Sequence, residues 1–101
     1  MQARRTVLLA DDAALFRDLG SLFLARTAEV VTARDGAEAL ARVSRDRPEV
    51  VVADLDMPRM DGAELCRRLK ADPETRAIPV ILVLSGDEAE HRAREIGRAH
   101  V

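Results

Sequence analysis

Four short apolar runs separated by amphipathic stretches constrain this chain more than any other feature. Val7–Ala10, Val30–Ala33, Val50–Ala53 and Val80–Leu84 are rich in β-branched residues and bounded by turn-forming or charged residues, as strands are. Val50-Val51-Val52-Ala53 shows no polar alternation, which suits a strand covered on both faces. Between the runs lie helical patterns. Leu15, Leu19, Leu22 and Phe23 follow an i, i+4, i+7, i+8 spacing; Ala39, Leu40 and Val43 mark a second helix; Leu65 and Leu69 mark a third. Asp35 with Glu38, Asp61 with Glu64 and Asp87 with Glu90 are each an N-cap candidate with Glu three residues on. Pro48 and Asp72-Pro73 supply stops. The order β-α-β-α-β-α-β-α predicts an α/β fold, a doubly wound parallel sheet with helices on its faces.

Length and composition agree with that order. The chain of 101 residues is long enough for one domain. Only 2% of residues are aromatic, so Leu, Val, Ile and Ala must form the core. A net charge of −2 gives no basic excess for nucleic acid. One cysteine, Cys66, excludes an internal disulfide and fits a reducing compartment. Two arginines precede the first run, but the run is too short for a signal peptide and two aspartates end it. No stretch is long enough to span a membrane.

The chemistry concentrates at strand ends. Asp11-Asp12 follows the first strand. Asp54 follows the third, within Asp54-Leu55-Asp56-Met57-Pro58-Arg59-Met60-Asp61-Gly62. In an open parallel sheet, ligands sit outside the carboxyl ends of the strands where strand order reverses. If the first and third strands are neighbours, both acidic sites meet there. Two carboxylates about 4 Å apart repel by roughly 4 kcal/mol at an effective dielectric near 20. A hard divalent cation gives such a cluster a purpose, since Mg²⁺ takes oxygen ligands including one or two carboxylates. Beside such a cation, Asp54 could act as a nucleophile toward a phosphoryl group.

Taken together, Asp11-Asp12 and the Asp54-x-x-Met57-Pro58-x-Met60-Asp61-Gly62 string resemble the receiver domains of two-component systems, from about Arg5 to about Arg94. The resemblance implies a CheY-like, flavodoxin-like sheet of order 2-1-3-4. It makes Asp54 the phosphoacceptor. It makes Asp12 a direct metal ligand, with Asp11 acting through water and the backbone carbonyl of Asp56 completing the protein's share around Mg²⁺ or Mn²⁺. Pro58, Asp61 and Gly62 then shape the turn into the third helix. The donor is a histidine on a sensor histidine kinase or a histidine phosphotransfer protein. The module works in the cytoplasm, shifts partner binding on phosphorylation, and in the parent protein precedes an effector domain. It binds neither nucleic acid nor membrane, and it is a signalling phosphoacceptor rather than an enzyme, assisting its own phosphotransfer and autodephosphorylation.

The string departs from the family at its end. Ser85 is the candidate hydrogen-bond donor to the phosphoryl group. The run into it is one residue longer than the usual spacing, which without a bulge would put Leu84 there. The family's fifth strand, its catalytic Lys and the fifth helix would lie beyond Val101. The last seven residues, Glu95-Ile96-Gly97-Arg98-Ala99-His100-Val101, can be encoded GAG-ATC-GGA-AGA-GCA-CAC-GTC, the start of a common sequencing adapter. The expectation is a truncated receiver domain over residues 1–94 and a non-native read-through tail over residues 95–101.

Plainer readings stand beside these. Asp12 could simply cap the first helix. Asp35, Asp61 and Asp87 are expected as caps. The side chains of Asp56 and Asp87 are either tuners of phosphoryl lifetime or solvated loop residues. Cys66 is expected to pack rather than react, and His91 and His100 receive no role. Arg67 and Arg68 are expected to form a wet helix face. Two competing functions are a receiver fold used only for protein binding and, remotely, a phosphatase. Asp54-Leu55-Asp56 resembles the Asp-x-Asp pair of haloacid-dehalogenase-type enzymes, but those carry it on their first strand, and Pro58 holds the place of their Thr or Val.

Overall fold

The computed structural model describes residues 5–83. Seven elements follow in order: β1 (Arg5–Ala10), α1 (Ala14–Leu24), β2 (Ala28–Ala33), α2 (Gly36–Asp46), β3 (Val50–Asp54), α3 (Gly62–Ala71) and β4 (Val80–Val83). The strands form one parallel sheet in the order β2-β1-β3-β4. The expected fold class and strand order are therefore present, and β1 and β3 are neighbours. The expected fourth helix, with its Asp87–Glu90 cap, lies outside the described residues.

Two-residue periodicity along β1 divides the core. Leu8 and Ala10 point to one face, where they join Val51, Ala53, Ala39 and Val43 of α2, and Leu65 and Leu69 of α3. Val7 and Leu9 point to the other, with Ala28, and Leu24 of α1 packs against them. β3 sends Val51 and Ala53 to the first face while Val50 and Val52 pack on the second. A strand flanked by β1 and β4 and covered on both sides has no place for a polar residue before its end, hence the unbroken Val-Val-Val-Ala.

The strand starts differ from the apolar runs. β1 begins at Arg5 and β2 at Ala28, because the ladder continues through Arg5↔Ala28 and Thr6↔Glu29. Backbone pairing needs no apolar side chain, so the ladder runs on through Arg5 and Glu29, and the exposed Glu29 separates the buried Ala28 from the apolar run. Leu22 corrects the first helix. It was expected on the apolar face, but it is 74% exposed. Gly20 faces Leu9, where an added Cβ would lie 2.5 Å from Leu9 Cδ1, and Leu24 packs on the same side. Leu22 is two residues from each, about 200° around the helix, and so points to solvent.

The expected caps of α2 and α3 are formed. Asp35 accepts from the Glu38 backbone N–H at 2.8 Å, and Asp61 accepts from that of Glu64 at 2.8 Å. Each satisfies an N–H that has no partner within its helix. The helix α2 ends at Arg47, whose φ of 46° is left-handed, directly before Pro48. The helix α3 ends at Asp72 before Pro73. Among the described residues no helix is long and apolar enough to cross a membrane.

Candidate functional site

The crevice lies where the chain reverses direction across the sheet. From β1 it steps outward to β2, then crosses back to β3 on the far side of β1. In the β1–β3 ladder Ala10 is level with Ala53, so the residues that follow, Asp11 and Asp54, stand side by side at the carboxyl ends. Asp11 is held close to the sheet, since its N–H donates to Ala33 O at 2.9 Å. One carboxylate oxygen from each of Asp11, Asp12 and Asp54 lies within 4.8 Å of the others. Asp11 is 3% exposed and Asp54 5%, whereas Asp12 faces solvent.

Both buried carboxylates are oriented by the same local device. Asp11 Oδ1 accepts from Ala13 N at 2.7 Å, and Asp54 Oδ1 accepts from Asp56 N at 3.1 Å. Each is an Asx turn, in which the side chain binds the backbone two residues on. It fixes one oxygen of each carboxylate in place. The Asp11 carbonyl is also occupied, accepting from an Arg17 guanidinium N–H at 2.5 Å. The helix α1 starts from Ala13 with no side-chain cap, so Asp12 does not cap it.

Electrostatics set Asp11 apart within the cluster. Burial pushes the Asp11 carboxyl up to about 6, and the neighbouring charges of Asp54 and Asp12 add to the rise. The Ala13 N–H opposes it without cancelling it. The negative charge of Asp11 is thus disfavoured in the small volume it shares with two further acids. An oxygen-only donor set of this kind suits a hard divalent cation, so the residues present could hold a metal ion.

The loop from Leu55 to Asp61 closes over the carboxyl end of β3. Leu55 N–H donates to Val83 O at 3.0 Å, and Gly62 N–H donates back to Leu55 O at 3.1 Å. A Cβ at Gly62 would lie 2.5 Å from the Asp54 carbonyl oxygen, so only glycine lets α3 begin so close to Asp54. Met57 is buried in the core, while Pro58 and Asp56 are exposed. Of the residues singled out in sequence, Asp11, Asp12 and Asp54 converge, Asp56 follows directly, and Pro58, Asp61 and Gly62 occupy the turn into α3. Ser85 and Leu84 lie outside the described residues.

Two partners were not foreseen. Arg17 reaches back six positions to Asp11, and Arg59 crosses from the loop to Asp35 at the start of α2. No spacing rule announces either contact. Asp35 reads in sequence only as a cap, and it is both cap and ion-pair partner.

Comparison with known proteins settles the family. The family model described as the response regulator receiver domain matches residues 7–100. The chain belongs to the response regulator receiver domain family. Among relatives, this receiver domain is 47% identical over 88 residues to the response regulator PleD of Caulobacter vibrioides, covering 86% of the chain and 19% of that protein. It is 40% identical over 83 residues to a protein-glutamate methylesterase/protein-glutamine glutaminase of Bacillus licheniformis, covering 78% of the chain and 22% of the relative. The chemotaxis response regulator CheY4 of Vibrio cholerae superposes with a TM-score of 0.81 at 28% identity, covering 94% of this chain and 80% of that one. The receiver domain thus spans about a fifth of the length of PleD and of the methylesterase.

Proposed function

We propose that this receiver domain accepts a phosphoryl group on Asp54 from a partner histidine, in a reaction dependent on Mg²⁺ or Mn²⁺. The observation that carries the reading is the meeting of Asp11, Asp12 and Asp54 at the switch point of the sheet. Asp12, Asp54 and the Asp56 carbonyl would hold the cation directly, and Asp11 through water. A cation there neutralises charge on the transferring group. The chain's own contribution is positioning. The Asp56 N–H fixes one Asp54 oxygen in place. The β1–β3 register brings the acidic pair alongside it.

The partner is a sensor histidine kinase or a histidine phosphotransfer protein, met in the cytoplasm. Phosphorylation shifts a two-state equilibrium and with it partner affinity. Slow loss of the phosphoryl group by the domain's own autodephosphorylation resets it. The relatives are several times longer than this chain, which supports an effector domain in the parent protein. Ser85 is the proposed hydrogen-bond donor to the phosphoryl group. The matched stretch, residues 7–100, runs into the proposed read-through tail of residues 95–101. A genomic clone that encodes those residues followed by further native chain removes the tail proposal and its boundary at residue 94.

Phos-tag electrophoresis of the intact parent domain, after incubation with acetyl phosphate and Mg²⁺, tests the central reading. Wild type shifts, Asp54→Ala does not, and chelation of the cation abolishes the shift. A mutant that shifts like wild type removes Asp54 from the role.

A further inference from the structure

The loop after β3 contains a strained residue. Arg59 has φ of 66°, a left-handed backbone unusual for a residue other than glycine. The Met60 N–H donates to the Pro58 carbonyl at 2.7 Å, closing a three-residue turn centred on Arg59. A γ-turn with positive φ at its centre is rare and strained, and such conformations persist only where surrounding contacts over-determine them. Two contacts do so here, and both lead to the first turn of α2. The Gly36 N–H donates to Met60 O at 3.0 Å. The Arg59 guanidinium holds Asp35 Oδ2 in a fork, Nε at 3.0 Å with the second nitrogen also in contact. Asp35 is itself fixed, 5% exposed and committed through its other oxygen to the Glu38 N–H. Gly36 is the only residue that fits, since a Cβ would collide with the Met60 carbonyl.

We propose that the Arg59–Asp35 pair is a strap that positions the β3–α3 loop and thereby sets the cation affinity of the acidic site. The inference rests on the reading of that site as a metal centre. Its logic is geometric. Asp56 stands three residues before Arg59, and its carbonyl is the proposed cation ligand that the loop carries. Asp54 precedes the loop and Gly62 closes it. The strained turn therefore lies between two fixed points, and its conformation decides where the Asp56 carbonyl points. Without the fork, the γ-turn relaxes and the carbonyl is no longer held in place before a cation arrives. Arg59 is thus a positioning residue, acting through the backbone of its own loop.

The test is Mg²⁺ titration of the chain, followed by the amide shifts of residues 54–62 in two-dimensional NMR. Arg59→Lys keeps the charge but loses the planar fork. Asp35→Asn keeps a good N-cap but loses the ion pair. Each variant weakens Mg²⁺ binding by about tenfold, in the range seen when groups that orient metal ligands are removed. The double variant is no worse than either single one, because both remove the same contact. Arg59→Gly removes the strain together with the fork, so its turn has less cause to relax and it loses less Mg²⁺ affinity than Arg59→Lys. Folded variants with wild-type affinity would reduce the pair to a stability device and overturn the proposal. A wild-type chain with no saturable Mg²⁺ shift overturns the metal-centre reading itself, and the strap's role with it.

Discussion

Asp11 holds its proton more tightly in the fold than in the unfolded chain, because burial and two like charges raise its pKa from 3.8 to about 6. The sign follows from linkage. Above about pH 6 the fold bears the cost of a charged, crowded Asp11, and that cost is relieved as pH falls through 6. A cation bound as proposed would act against the proton at the same site. Mg²⁺ affinity should therefore fall by on the order of tenfold between about pH 7 and about pH 5, as protons compete for the carboxylate. Asp11→Asn retains an acceptor for the Ala13 N–H and should flatten that dependence in a calorimetric titration. Asp35 carries the opposite sign. Its pKa is lowered by the Glu38 N–H and then by Arg59, so its contribution to stability is full above the unfolded carboxylate range and fades as pH drops through the folded value.

At the scale of elements, the two capped helices show how much local sequence decides. Both α2 and α3 begin at the Asp anticipated for them, since an N-cap needs only a side-chain oxygen and an N–H three residues on. The cluster Asp11, Asp12 and Asp54 was equally legible, because strand ends and strand order place it. The place of Leu22 was not. An i, i+7 spacing includes it with the apolar positions, yet it is exposed, and Gly20, which contributes no hydrophobicity, marks the approach of α1 to Leu9. The Arg59–Asp35 fork was also illegible. It joins residues 24 apart and depends on a left-handed backbone that an arginine does not advertise. Arg47 offers a test at this scale. It ends α2 with φ of 46°, a conformation costing an L-residue roughly 1 kcal/mol that glycine avoids. Some helix-dipole stabilisation is lost with the side chain, though Arg45 remains in the last turn. Arg47→Gly should raise stability by about 0.5 kcal/mol in urea denaturation, net of that loss.

The molecule as a whole couples folding to the charge at one end of its sheet. Three carboxylates within 4.8 Å oppose folding unless a cation offsets them, while the two-sided aliphatic core drives it. Thermal denaturation should thus rise with Mg²⁺ concentration, by the equivalent of about 2.7 kcal/mol at a hundredfold excess over the dissociation constant. Asp54→Asn should raise the transition in chelator, by removing one repelling charge, and abolish most of its response to Mg²⁺. A mutant as responsive as wild type would argue that the ion binds elsewhere.

The pairing of Ala10 with Ala53 carries one more implication. Because β3 is apolar on both sides, sliding it by a single position against β1 would still bury four aliphatic side chains, and greasiness offers weak policing of that error. What the slide would destroy is the alignment of Asp54 with Asp11. On the proposed metal-centre reading, a misaligned chain would look ordinary by circular dichroism yet be blind to divalent ions, which makes cation titration the sharper assay of correct assembly.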